Sequence, residues 1–122
     1  MGNKESRSNK ANKKRNLIYA YSYYMKDGGI YIMAIVDDEP YADITINLSS
    51  YGLHIGDNQV VVPTYKLVED IFFSFVDDLA ERIVTRIGYG PFDAYGDVVE
   101  LKKDWKDKAV LLEDYYQAKY GE

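Results

Sequence analysis

Residues 17–48 read LIYAYSYYMKDGGIYIMAIVDDEPYADITINL, and this stretch decides the fold class. Its first part, 17–26, alternates around Tyr19, Tyr21 and Tyr23, the pattern of a strand built from β-favouring aromatics. Asp27-Gly28-Gly29 then supplies residues that accept positive φ, as a tight hairpin turn requires. The run IYIMAIV at 30–36 is apolar on both faces and predicts a central strand. Asp37-Asp38-Glu39-Pro40 breaks it, and 41–48 restores alternation. There Ala42, Ile44, Ile46 and Leu48 are expected to face inward, with Asp43, Thr45 and Asn47 facing out. The expectation is a three-stranded antiparallel meander.

Beyond the meander, 49–58 reads as loop and 59–62 as a short fourth strand. Thr64 is a candidate N-cap for a long amphipathic helix over 65–87, with Gly88 as its stop. Two columns at i,i+4 spacing carry that reading: Leu67, Ile71, Phe75, Leu79, Ile83, Ile87, and Val68, Phe72, Val76, Ala80, Val84. Glu69 and Asp70 near its start and Arg82 and Arg86 near its end complement a helix dipole. A Gly/aromatic loop follows, then a strand at 97–102. A C-terminal helix from Asp104 is expected to align Trp105, Ala109, Leu112, Tyr116 and Tyr120 on one side. The predicted fold is α+β, an antiparallel sheet of three to five strands with two helices, in the order β-β-β-(β)-α-β-α.

The chain has 122 residues, 47% of them apolar, enough for one domain with a real core. No apolar run approaches the roughly 18–20 residues of a membrane helix, and the start lacks a secretory pattern, so a cytoplasmic protein is expected. Zero cysteines exclude disulfides, thiolate metal sites and cysteine nucleophiles. His54 stands alone, and Gly88-x-Gly90 lacks the Lys-Ser/Thr of a phosphate loop. No cofactor is expected, and the chain does not read as an enzyme.

The net charge of −5 conceals an asymmetry. Residues 1–16 carry Lys4, Arg7, Lys10, Lys13, Lys14 and Arg15 against Glu5, a charge of +5, whereas 17–122 carry 9 basic and 19 acidic residues, a charge of −10. The first sixteen residues hold almost nothing apolar and read as a flexible basic arm, and the composition changes at Leu17, where the domain begins.

The run AIVDDEPYADITINL at 34–48, preceded by a tyrosine-rich strand, resembles a family of small uncharacterised proteins of Gram-positive plasmids, integrative elements and phages. That family carries a Glu-Pro-Tyr/Phe-Ala…Thr-Val-Asn-Leu core strand, and the resemblance spans about 17–102, the Gly/aromatic loop and last strand lying at 88–101. The predicted helix is longer than the family's, and the basic arm falls outside the shared pattern. The resemblance implies a mobile-element setting, and no catalytic residues can be carried over from it. A Lys/Arg/Asn/Ser arm before a compact acidic body is also similar to some type II-A anti-CRISPR proteins.

Three surfaces are candidates. The arm cations would neutralise phosphates of nucleic acid or a nucleoprotein. The acids would meet a basic partner: Asp37, Asp38 and Glu39 at a strand turn, and Glu69, Asp70, Asp77, Asp78 and Glu81 on the long helix. Phe73, set between Glu69 and Asp77, would serve there as an aromatic anchor if exposed, or sit on a broad core edge if not. Tyr19, Tyr21 and Tyr23 would stack on bases if exposed, or belong to the core if not. The leading expectation is an inhibitor that binds a CRISPR effector nuclease of the Cas9 type, its guide RNA, or both. A nucleic-acid-binding accessory protein is the alternative, and a metal-dependent enzyme using Asp37, Asp38 and Glu39 the remote one.

Overall fold

The computed structural model describes residues 16–25, 27–49, 52–63, 69–90 and 94–121. The fold is α+β, with two helices and seven strands in two sheets. Strands β1 (Leu17–Tyr23), β2 (Ile30–Val36) and β3 (Glu39–Asp43) form the expected meander. Next come β4 (Gln59–Pro63), helix α1 (Glu69–Leu79), β5 (Ala80–Tyr89) and β6 (Ala94–Leu101). A short 3-10 helix (Trp105–Lys108), β7 (Val110–Leu111) and helix α2 (Leu112–Tyr120) complete the chain. One sheet runs β3-β2-β1-β7 and the other β4-β6-β5.

The two hairpins follow from their turns. Gly28 takes φ 76° at the β1–β2 tip, where Tyr24 N donates to Gly29 O at 2.7 Å. Asp37 and Asp38 take φ 52° and 65°, so the β2–β3 connection is a two-residue turn between the paired Val36 and Glu39. Positive φ at both central residues matches the right-handed twist of the strands, and aspartate tolerates that region better than most side chains. Pairing runs from Leu17↔Val36 to Tyr23↔Ile30 without a shift.

The third strand is shorter than the alternation predicted. It ends at Asp43, and the chain then crosses from the first sheet to the second. Thr45, expected to face out, is buried: its Oγ1 accepts from Ile32 N at 3.1 Å and contacts the Tyr24 hydroxyl at 3.0 Å. A threonine can be buried this way because its one hydroxyl satisfies two partners. Ile46 then bridges to Val61 of β4, and Leu48 packs with Val61 and Val98 on the outer face of the second sheet.

The largest departure concerns the long helix. It ends at Leu79, and residues 80–89 form β5, paired antiparallel with β6 from Ala80↔Leu101 to Tyr89↔Ala94. Thr64 and residues 65–68 of the expected first turn lie outside the described residues. Ile83-Val84-Thr85 is a β-branched run that loses side-chain freedom in a helix and fits a pleated strand. Arg82 and Arg86 therefore do not cap a dipole. They reach across to β6, Arg82 to Glu100 at 3.1 Å and Arg86 to Asp97 at 3.0 Å.

The main core lies between the two sheets and α1. Ile32, Ala34 and Val36 meet Val60, Val62, Val99 and Leu101, with Ile71, Phe75 and Leu79 of α1 packed against them. Tyr19 belongs to this core, its ring edge-on to Phe75 at 6.2 Å, so it is no base-stacking platform. On the opposite face of the first sheet, Ala20, Met33 and Ile35 pack on Tyr115 of α2. The expected C-terminal helix is thus divided in three, and Tyr115 rather than Tyr116 or Tyr120 is its buried tyrosine. The two-residue strand β7 pairs parallel to β1 and breaks the predicted apolar column.

Candidate functional site

Helix α1 exposes one face because its other face is consumed by the core. Ile71, Phe75 and Leu79 recur at i,i+4 and point inward, so Glu69, Phe73 and Asp77, two positions out of phase, face solvent. Phe73 is 55% exposed, whereas Phe75 is fully buried. The Phe73 ring leans on Phe72, with centroids 5.8 Å apart, which fixes it at the boundary of the core without covering it. At about 1.5 Å rise per residue, Glu69 and Asp77 bracket that ring along about 12 Å of helix.

The neighbouring acids are engaged within the fold. Asp70 lies in the first turn, where its Oδ1 accepts from Ile71 N at 2.9 Å. Asp78 accepts the Tyr19 hydroxyl at 2.8 Å. Burial, then that hydrogen bond and the nearby carboxylates, raise the Tyr19 phenol well above its usual pKa. Glu81, predicted to extend the helical face, is exposed on β5 instead, because the helix has already ended.

The turn acids have a different environment. Lys119 of α2 places Nζ 3.6 Å from Asp38 Oδ2 and 3.4 Å from Glu39 Oε2, and it also contacts the Asp38 carbonyl. Tyr115 donates its hydroxyl to that carbonyl at 2.9 Å. Burial disfavours the Lys119 ammonium, but its bonds to Tyr115 and Glu39 and the charge of Asp38 outweigh this, and its pKa is raised. Asp37 Oδ1 accepts from Asn16 N at 3.0 Å. One lysine thus ties Asp38 and Glu39 to α2, while Asp37 is held by the backbone of Asn16. Among the described residues no group of three His, Asp or Glu side chains is placed to hold a metal ion.

Asp78 bonds Tyr19, and Leu17, two residues earlier, pairs with Val36 just before the turn. The chain enters the described fold there, at Asn16. The arm residues Lys4, Arg7, Lys10, Lys13, Lys14 and Arg15 lie outside the described residues.

A second feature escaped the reading of the sequence. The β1–β2 tip, the loop at 52–58 and the start of the 3-10 helix enclose a cleft of about 400 Å³, lined by Tyr23, Asp27, His54, Asp57 and Lys106 among others. These residues are scattered over 84 positions and no motif links them, so a signal existed only in the unusual Asp-Gly-Gly turn and the lone histidine. Asp27 is held below the usual carboxylate range by its bond from Gly29 N, with Asn47 adding a second donor at 3.3 Å.

Among the described residues no helix is long and apolar enough to cross a membrane. No protein-family model matches the chain, and no curated protein or solved structure matches it significantly.

Proposed function

We propose that this chain is a non-catalytic inhibitor that binds a nucleoprotein, with a Cas9-type effector and its guide RNA as the target. The observation that carries the reading is Phe73, held in solvent between Glu69 and Asp77 on a helix whose opposite face is fully packed. A large exposed ring is a poor solvated residue and a good anchor for an interface. Carboxylates on either side suit a partner surface rich in arginine and lysine, and the channels that hold guide–target duplexes are of that kind.

The basic arm supports the same reading. Its six cations fall within residues 4–15, ahead of a body of opposite charge. Phosphate contacts by the arm raise the local concentration of the acidic body at a nucleoprotein, without reading sequence. The proposed setting is a phage or mobile element in the cytoplasm of a bacterial host, as the resemblance of residues 34–48 implies.

The test is a binding measurement on a Cas9-type nuclease with and without guide RNA, beside naked RNA and DNA. The expected result is binding to the assembled complex, weakened by Phe73→Ala and by deletion of residues 2–16. The +5 segment also favours a second reading, an accessory nucleic-acid-binding protein, and tight binding to naked nucleic acid alone would establish that one instead. Failure to bind either material refutes both.

A further inference from the structure

The cleft at the β1–β2 tip lies at the end of the first sheet opposite the Asp37–Asp38 turn, since Tyr23 pairs with Ile30 at one limit of the hairpin and Leu17 with Val36 at the other. Its volume, about 400 Å³, is within the range of small-ligand sites, roughly 300–1,000 Å³. The amides of its lining are occupied. Asn58 accepts from Trp105 Nε1 at 3.1 Å and donates to Leu101 O at 2.8 Å, Gln59 accepts from Gly56 N, and Asn47 bonds Asp27 and Ser49 N. These bonds shape the walls and leave the amides little capacity to read a ligand.

The ionic groups differ. Lys106 Nζ lies 5.9 Å from the Tyr21 ring centroid, 5.7 Å from that of Tyr23 and 5.8 Å from that of Trp105. Three rings converging on one ammonium make a wall that stabilises positive charge. Interaction with the Tyr23 phenol raises the Lys106 pKa, and the ammonium lies over its own rings. The carboxylates of Asp27 and Asp57 also line the cleft, and among the described residues Asp57 and His54 have no hydrogen-bond or ion-pair partner. The lining thus combines negatively charged hydrogen-bond acceptors with aromatic faces, and its lysine is turned to its own rings.

We infer that this cleft binds an organic cation, a guanidinium or primary ammonium on a short alkyl chain, with Asp27 and Asp57 as its counter-ions and Tyr23 as its aromatic face. The same head group occurs on free amines and on the arginine side chains of peptides, and the experiment distinguishes the two. The site is separate from the α1 face, so neither proposal depends on the other.

Trp105 is the only tryptophan of the chain and forms part of the cleft wall, so its fluorescence reports occupancy. The full chain is titrated at constant ionic strength with agmatine, with a capped Gly-Arg-Gly peptide, and with inorganic phosphate. Agmatine is expected to give a saturable change in the millimolar range or tighter. Saturation by the peptide as well assigns the site to side chains, and saturation by agmatine alone assigns it to free amines. Asp27→Asn and Asp57→Asn are each expected to weaken binding about fivefold, through loss of a charge-assisted hydrogen bond. Lys106→Met removes the competing cation and is expected to tighten binding, a direction that misfolding would not produce. Saturation by phosphate but by neither cation, or no saturation by any of the three, overturns the inference.

Discussion

The two acidic regions of this molecule look alike in sequence and behave differently in the fold. Asp37 and Asp38 form a two-residue turn leading into Glu39, where Lys119 and Tyr115 from α2 hold Asp38 and Glu39 while Asn16 N bonds Asp37. Glu69 and Asp77 stand on a helix whose inner face is sealed, with Phe73 exposed between them. A turn braced by a lysine serves the fold, because the ion pairs fasten α2 to the end of the first sheet. An acidic helix face with an uncovered aromatic serves contact with something else. Local charge density did not separate the two, and the presence of a cation from a distant element did.

The largest effect that would break this comparison lies within α1 itself. Phe75→Ala empties a fully buried site and is expected to cost about 3–5 kcal/mol in chemical denaturation. Phe73→Ala, two residues away, is expected to change stability by no more than about 0.5 kcal/mol. The same Phe73 substitution is expected to weaken partner binding about tenfold, near 1.4 kcal/mol, in a direct affinity measurement. A large loss of stability from Phe73→Ala would make that ring part of the core and remove the basis for the proposed interface.

Charge changes sharpen the contrast further. Glu69→Lys with Asp77→Lys is expected to slow association with the partner and to reverse its salt dependence. Asp38→Asn with Glu39→Gln is expected to have a smaller effect on association, since Lys119 offsets part of their charge. Equal effects from both pairs in stopped-flow kinetics would merge the two regions into one surface.

Two smaller effects are expected in stability. Tyr19→Phe removes the bond to Asp78 and should cost about 1 kcal/mol. Tyr19 and Lys119 both have raised pKa values in the folded state. The unfolded chain therefore releases these protons at lower pH than the native one. Their stabilisation is complete below pH of about 10, the unfolded range for Tyr and Lys, and falls as pH rises above it. Urea melts across that range are expected to show a shallower alkaline decline for Tyr19→Phe. Lys119→Met should give the smallest change, because Asp38 and Glu39 remain largely solvated. It is expected to appear as earlier fraying of α2 in hydrogen exchange.

Much of the fold was legible. The hairpins were written in Asp27-Gly28-Gly29 and in the paired aspartates, since few residues other than glycine, asparagine and aspartate accept positive φ. The inward face of the α1 segment was written in the spacing of Ile71, Phe75 and Leu79. The exposure of Phe73 was left open by its place between two acids, which suited a core edge as well as a free surface, and the fold decided it. The sequence reading failed where two structures share one apolar pattern. Leu79, Ile83 and Ile87 fit a helix at i,i+4, but Ile83, Thr85 and Ile87 equally fit a strand at i,i+2. Contact with β6 chose between them, with register shifts at Ala80/Arg82 and Ile83/Thr85 accommodating the change. The cleft was illegible for a related reason: its walls come from a hairpin tip, a loop and a 3-10 helix that meet only after the sheets have packed.

The sequence by itself determined the α+β class, the meander, the inner face of α1 and the charge asymmetry, because these depend on short-range periodicity, turn chemistry and composition. Tertiary structure alone decided that residues 80–89 are a strand, that the Asp37–Asp38 turn is braced by Lys119, and which side chains surround the cleft. These outcomes depend on partners far away in the chain, and a β-branched segment or a run of acids has no fixed meaning until its neighbour across the sheet or the turn is in place.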